Sequence, residues 1–539
     1  MPKLLKFNDQ AKQALMRGVD EVNNAVSATL GPRGNNVAFD RPWGPPTVVH
    51  DGVTVAKEVD LVDKFENMGA QLVKEAAQKT NDLAGDGTTT ATILAQAIVK
   101  GALKNIAAGS NAMMLRRGID KAVEAVTGCL DTMATKIKTD KEIEQVAVIS
   151  AQDEQIGKMI AKTVNKLGKD AVITVEEGGT REITVEFKEG MEFDRGFISP
   201  YFITKPEDRE ATVESPYILI TDKRISSMQE FLPFIEMFMK APNPKGPDLV
   251  IICEELAGEP LATLIVNKIK GNIRVLVTTA PGYGDKRKAL LEDISIVTGA
   301  KFISQELGIK LESVTMEDLG KSGRVTSTKD NTLIVDGGGD PVKIKERIAS
   351  IKNEIEKPDL SEFDKEKLQE RLAKLTSGVA IISVGANSET EMREKKERCI
   401  DAINATKAAL EEGIVPGGLT SLVRAADTIE IDGLTREEEI GVEIVGNACQ
   451  KPFRKLMSNS GFDPGKMLER LLHTKPPFGI DVIDGESKDL IKAGIIDPVK
   501  VTKSALRNAA SVAVMIMTCS VLIVDKPKDE PPVKPLAVN

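Results

Sequence analysis

Apolar residues recur three and four apart from residue 8 to about 170, and from about 171 to 340 that spacing gives way to short β-branched runs. A chain with both textures cannot fold as one helical bundle or one sheet. Helical spacing is clearest over Ala11 to Leu30 and Thr88 to Ala108, with strand-like and turn-like pieces between them over Val37 to Asp51. AVITVEE (171–177), EITVEF (182–187), YILITD (217–222), DLVIIC (248–253) and IRVLVTT (273–279) read as strands, the later ones separated by helices, which makes this region an α/β insert. Residues 341–376 read as a solvated, charged helical hairpin broken at Pro358. A strand over VAIISVG (379–385) and a long helix from Glu389 to Glu412 follow. At roughly 150 residues per domain, 539 residues predict three or four domains.

Composition removes several classes of function. Hydrophobic residues at 41% and charged residues at 28% are those of a folded chain. Acids outnumber bases 81 to 72, which argues against a nucleic-acid partner. Aromatics are only 4%, so base- or sugar-stacking platforms have few residues to draw on. His50 and His473 stand alone, and Cys129, Cys253, Cys399, Cys449 and Cys519 never form C-x-x-C, so zinc ribbons and thioredoxin-like motifs are excluded. Five scattered thiols predict a reducing, cytoplasmic setting. Residues 1–10 lack the apolar stretch of a signal peptide. The uncharged run Ala509 to Val524 is shorter than the roughly 20 residues of a spanning helix and predicts a buried helix running into a strand. The proline-rich end, 525–539, reads as a disordered tail.

Familiar nucleotide motifs fail: Gly320-Lys321-Ser322 has Thr315 where a P-loop needs glycine, and Gly282-Tyr283-Gly284 lacks a third glycine. The strongest chemical signal is Gly85-Asp86-Gly87-Thr88-Thr89-Thr90, which opens a helix. Its glycines allow close backbone approach, free N–H groups at a helix start favour phosphate, and Asp86 is a hard ligand suited to Mg²⁺. A plain helix cap fits the hexapeptide equally well. Leu30-Gly31-Pro32-Arg33-Gly34 reads locally as a helix stop, and Gly417-Gly418 as a turn. Asp401 lies one position off the stripe Ile400, Ile403, Leu410, and nothing local makes it catalytic. FLPFIEMFM (231–239) is apolar all round, which requires either a central helix or a surface left open for a partner. Leu261, Leu264 and Ile265 fit a one-faced core helix.

Together these segments resemble the group I chaperonins, the GroEL type. ATLGPRG (28–34), DGVTVAKE (51–58), AGDGTTTATILA (84–95), DRGFISPYF (194–202), PGYGDKRKALLEDI (281–294), EEGIVPGG (411–418) and DPVKVTKSAL (497–506) match in order over almost the whole chain. The resemblance implies a multidomain α/β and all-α chaperonin fold. It has a helical equatorial domain (1–132 and 412–526), a small α+β intermediate domain (133–187 and 379–411), an α/β apical domain (188–378) and a tail (527–539). It further implies an ATPase that captures unfolded polypeptides and folds them in a chamber closed by a GroES-type co-chaperonin. The assembly would be a homo-oligomer of seven-membered rings stacked in pairs, with no nucleic-acid or membrane partner. The alternative is a divergent paralogue that holds unfolded chains and cycles ATP weakly.

Carried over residue by residue, Asp51 and Asp401 would activate or position the attacking water. Thr29, Leu30, Gly31, Pro32 and His50, with Asp86, Gly87, Thr88, Thr89 and Thr90, would line the phosphate side, Asp86 also holding Mg²⁺, with K⁺ as a further candidate ion. Gly417, Gly418, Asp481, Val482, Ile483 and Asp497 would close the adenine and ribose side. Phe197, Tyr201, Phe202, Leu232, Ile235, Leu261, Ile265 and Val266 would form the rim for clients and co-chaperonin, and Arg195 with Glu389 a switch contact between subunits. The chain departs from the pattern at His50 (usually lysine), Asp481 (usually asparagine) and Leu419 (usually glycine). It also departs in the longer loop at 241–247 and in a tail without Gly-Gly-Met repeats.

Overall fold

The computed structural model describes residues 2–40, 46–151, 153–168, 172–178, 181–207, 209–240, 248–306, 308–356, 362–376, 378–386 and 388–526. The 241–247 loop and the 527–539 tail lie outside them. The chain divides into two compact units, Met1–Lys162 with Ala386–Asn539, and Thr163–Gly385. The change of periodicity near residue 171 thus falls close to the start of the second unit.

The first unit is built on long helices: Asn8–Ser27, Lys64–Ala84, Thr88–Ala107, Ala112–Met133, Arg436–Asn459 and Val499–Thr518. Their apolar faces meet in one core that includes Leu15, Val22, Val73, Leu94, Ile98, Leu115, Ile119, Val445, Leu506 and Ile516. The first helix ends at Ser27, three residues before the predicted limit, and the Ser27 carbonyl accepts from Asn459 Nδ2 at 3.1 Å and from the Leu30 amide at 3.4 Å. The uncharged run near the C-terminus splits as expected into a helix to Thr518 and the strand Val521–Asp525. That strand pairs antiparallel with Lys3–Phe7 and turns Leu522 and Val524 into the core. A hairpin joins Val37–Phe39 to Thr47–Val49. Among the described residues, no helix is long and apolar enough to cross a membrane.

The second unit carries a seven-stranded mixed sheet. Asp248–Cys253 lies parallel to both Tyr217–Ile220 and Arg274–Thr279, and all six of its residues are buried. This is why LVIIC (249–253) is a continuous apolar run without alternation. In a separate three-stranded sheet, Val379–Val384 runs parallel to Val172–Glu177 and antiparallel to Thr184–Lys188. The charged hairpin of Pro341–Ile355 and Glu362–Thr376 is not merely solvated. Ile351, Leu368 and Leu375 are buried, and Arg347 and Arg371 both close on the fully buried Asp293, with Nε–O distances of 2.7 and 2.8 Å. The sequence shows the charges of that hairpin but not the single carboxylate they converge on.

Candidate functional site

The Lys64–Ala84 helix stops at Gly85, whose φ of +68° is left-handed, and the Thr88–Ala107 helix starts from Gly87 at +83°. Only glycine takes such angles without strain. A side chain at Gly85 would also strike the Cβ of Asn404, 1.9 Å away, so the turn lies flat against the Glu389–Glu412 helix one turn beyond Asp401. At the head of the new helix Thr88 and Thr90 are buried and Thr92 Oγ1 donates to the Thr88 carbonyl at 3.0 Å. Thr29 Oγ1 lies 3.4 Å from Thr89 Oγ1, and a Cβ on Gly52 would fall 2.2 Å from the same Thr89 oxygen. Residues 29, 51–52 and 85–90, distant in sequence, therefore form one turn-lined recess.

Four carboxylates lie close enough to feel one another here: Asp86 feels Asp51, Asp401 feels both, and Asp497 feels Asp86. Asp51 caps the Gly52–Glu58 helix, accepting from the Val53 and Thr54 amides at 3.2 and 2.7 Å. Asp86 accepts from the Gly87 amide. Its side chain is reachable by solvent, yet the protein mass around it and the negative charge of Asp51 push its pKa up. Asp401 is raised well above the usual carboxylate range, first by desolvation and then by the charges of Asp86, Asp51 and Glu397. Asp497 is raised to about 6 by desolvation, with Asp86 adding to the shift and the Leu419 and Gly418 amides opposing it. Strand Ile414–Pro416 pairs with Ile496–Pro498, setting Val415 opposite Asp497 and delivering the Leu419 N–H to Asp497 Oδ2 at 3.1 Å.

Desolvated, mutually repelling carboxylates favour a bound cation. Among the described residues, no three His, Cys, Asp or Glu side chains are placed to hold a metal ion by themselves. That donor set fits Mg²⁺, which takes one or two carboxylates and completes its shell with water and substrate phosphate, and not a closed protein cage.

Several of the remaining expected nucleotide residues share one small core in the same unit. Leu30, Leu419 and Val482 all pack against the small core of Val423, Phe453, Leu456, Met457, Leu468 and Ile480. Gly31 leaves room for Leu456 Cδ1, 2.2 Å from where a Cβ would stand. The Gly417 amide donates to the Ile495 carbonyl at 2.9 Å. Pro32 is exposed, and His50 Nδ1 sits 3.2 Å from Asn36 Oδ1. Ile483 is exposed, while Asp481 is only 7% exposed and uses both oxygens locally, accepting from the Ile483 amide at 2.9 Å and from Lys488 Nζ at 2.7 Å. Sequence reasoning missed Arg33 and Asn459. Arg33 donates to the Ile483 and Ser460 carbonyls at 2.8 and 3.2 Å, and Asn459 donates to the Leu30 carbonyl at 3.0 Å. Ile495 was also missed. All three act through a backbone carbonyl paired across distant segments, and a carbonyl leaves no mark in a sequence.

In the second unit, helix Met228–Lys240 resolves the FLPFIEMFM ambiguity. Phe231, Phe234 and Phe238 turn inward, with successive ring centroids 6.0 and 6.4 Å apart, while Leu232 and Met239 face out. Tyr201 is 67% exposed, and Val266 and Ile269 on the Gly258–Ile269 helix are also exposed. Ile269 and Met239 were not anticipated. Phe197, Ile235, Leu261 and Ile265 are half-buried against the core. Phe202 corrects an expectation: it is 0% exposed and a core residue, because the Pro200–Phe202 turn sends Tyr201 outward and Phe202 inward. Lys268 Nζ fastens that turn by donating to the Tyr201 and Ile203 carbonyls at 2.9 and 3.3 Å. Arg195 Nη2 donates to the Tyr283 hydroxyl at 2.6 Å, and the Glu389 side chain lies outside the described residues.

A helical unit made from both ends of the chain, a carboxylate-lined glycine–threonine turn within it, and a long α/β insertion are together the hallmarks of a chaperonin. A family model described as the TCP-1/cpn60 chaperonin family matches residues 22–527, and the chain belongs to that family. Two crystal structures of the chaperonin gp146 from bacteriophage EL 2 (Pseudomonas aeruginosa), both in presence of ATP-BeFx, share the fold at 21% identity. Crystal form II superposes with a TM-score of 0.71 over 97% of this chain and 100% of that one. Crystal form I gives 0.65 over 97% and 99%.

Proposed function

We propose that this chain is an ATP-hydrolysing chaperonin that captures unfolded proteins on an apolar rim and releases them into a closed ring chamber. The observation that carries this reading is the convergence of Asp51, Asp86, Asp401 and Asp497 on the turn of Gly85 to Thr90, where the Thr88–Ala107 helix starts. The helix-start amides and hydroxyls of residues 88–90 cradle phosphate, with Thr29 alongside. Asp86 would hold Mg²⁺, which would supply charge neutralisation at the phosphate. Asp401 and Asp51 orient the attacking water, which Asp401 is placed to deprotonate. The phage chaperonin's crystallisation in presence of ATP-BeFx supports the nucleotide assignment by likeness of fold.

The exposed Tyr201, Leu232 and Val266 supply a surface that buries apolar segments of any sequence. A GroES-type co-chaperonin competing for that surface, seven-membered rings stacked in pairs, a cytoplasmic setting, K⁺ as a second ion and the three-domain division complete the proposal. The holdase reading is favoured by His50, whose Nδ1 lies against Asn36 Oδ1 where the family has a lysine. Phosphate release with and without Mg²⁺ separates the two. Turnover that Asp401→Ala abolishes while ATP still binds supports the foldase, and binding without turnover in the unsubstituted chain supports the holdase. Ring symmetry in negative stain tests the assembly.

A further inference from the structure

The base side of the nucleotide recess differs from what the sequence suggests, and the difference bears on which nucleotides it accepts. Asp481 is the charged side chain expected there, yet it is almost wholly buried and both its oxygens serve its own hairpin. Oδ1 accepts from the Ile483 amide and Oδ2 from Lys488 Nζ, whose second partner is Asp484. Three partly exposed aliphatic side chains stand on the three converging segments: Leu30 next to Thr29, Leu419 next to Asp497, and Val482 next to Asp481. All three rest on one small core, which fixes their spacing. Leu419 is held at φ +62°, and its amide is committed to Asp497. Beside it lies open space, since a Cβ on Gly418 would meet nothing within 4 Å.

We propose that Leu419, with Leu30 and Val482, forms an aliphatic shelf for the base. Asp481 is then a positioning residue for the hairpin and does not read the base, so the recess accepts purine nucleoside triphosphates by shape and not adenine alone. The proposal rests on the nucleotide reading above. Apolar shape discriminates related ligands by about 10–200-fold, whereas a site that reads a polar edge through hydrogen bonds reaches about 10⁴–10⁵-fold. Val482 stays on its core only while Asp481 and Lys488 hold the hairpin closed, and this is the role that replaces base reading.

Calorimetric titration of the full chain with Mg-ATP and with Mg-GTP tests this without relying on turnover. The expected Kd values differ by less than about 200-fold. Leu419→Ala, which keeps the backbone strain but removes the side chain, weakens both nucleotides alike, and Leu419→Met restores both. Asp481→Asn leaves the ATP-to-GTP ratio unchanged while hydrogen exchange of residues 481–488 accelerates. A ratio above that limit, or a ratio that Asp481→Asn shifts, overturns the proposal. Failure of the unsubstituted chain to bind either nucleotide sinks the nucleotide reading itself.

Discussion

The Leu419 amide donates to Asp497 Oδ2 at 3.1 Å across 78 residues of sequence, joining a left-handed backbone position to a half-buried carboxylate. A branched aliphatic residue in that conformation costs about 1–2 kcal/mol, and the hydrogen bond helps hold it there. The same carboxylate is raised from 3.8 to about 6, so between those values the folded chain binds more protons than the unfolded chain. Asp497 therefore favours folding at low pH, and this contribution is lost as pH rises through that window. Asp497→Asn keeps an acceptor for Leu419 and removes the charge. The Tm difference between the variant and the parent, measured without nucleotide or metal, should grow from pH 3.8 to about 6 and level off above. A difference that is flat with pH would mean Asp497 titrates like an exposed carboxylate.

Gly52 makes room for Thr89, whose hydroxyl oxygen stands 2.2 Å from the place a methyl on that glycine would occupy. Gly52→Ala should therefore displace the threonine turn and lower ATP turnover by at least tenfold, since about 1.4 kcal/mol of lost transition-state stabilisation suffices. Thr89→Ala removes the obstructing oxygen. In a double-mutant cycle the Tm losses of the two substitutions should be less than additive. Strict additivity would show that the two residues do not touch.

How much of this was legible beforehand differs by residue. The boundaries of the Thr88–Ala107 and Glu389–Glu412 helices, the terminal helix-to-strand break and the central strands follow from periodicity and glycine placement. The Gly85–Thr90 turn was legible as a candidate for phosphate chemistry, but only against an equally good helix cap, because its partners Thr29, Gly52 and Asn404 come from elsewhere in the chain. Asp401 looks like a solvated carboxylate from its neighbours alone. Its raised pKa comes first from burial and then from the charges of Asp86 and Asp51, which only the fold brings near. Arg33 was invisible for the same reason, its Ile483 acceptor lying 450 residues away. Tyr201 and Phe202 are adjacent aromatics that local composition cannot tell apart, since one turn decides which is buried.

Asp293 anchors the charged hairpin of the second unit through Arg347 and Arg371, and it is fully buried. Removing one partner of such a buried cluster leaves charge uncompensated and costs about 3–5 kcal/mol. Asp293→Ala should destabilise the Thr163–Gly385 unit by that order in urea denaturation, with early loss of exchange protection over 341–376. Arg371→Met should cost less, because Arg347 remains. Equal protection in Asp293→Ala and the parent would remove the anchor role.

Phe202 and Leu232 separate folding from capture on the proposed rim. Phe202 is sealed in the core, so Phe202→Ser removes a buried ring and should cost on the order of 3–5 kcal/mol of stability. Any loss of client binding would then accompany unfolding. Leu232 and Tyr201 are exposed, and serine at both positions should change the Tm little while weakening capture of a denatured client. The measurement is the capture Kd alongside the melting curve for each variant. Selective loss of capture in Phe202→Ser at unchanged Tm would return that residue to the rim, and undiminished capture in the double variant would place the client surface elsewhere.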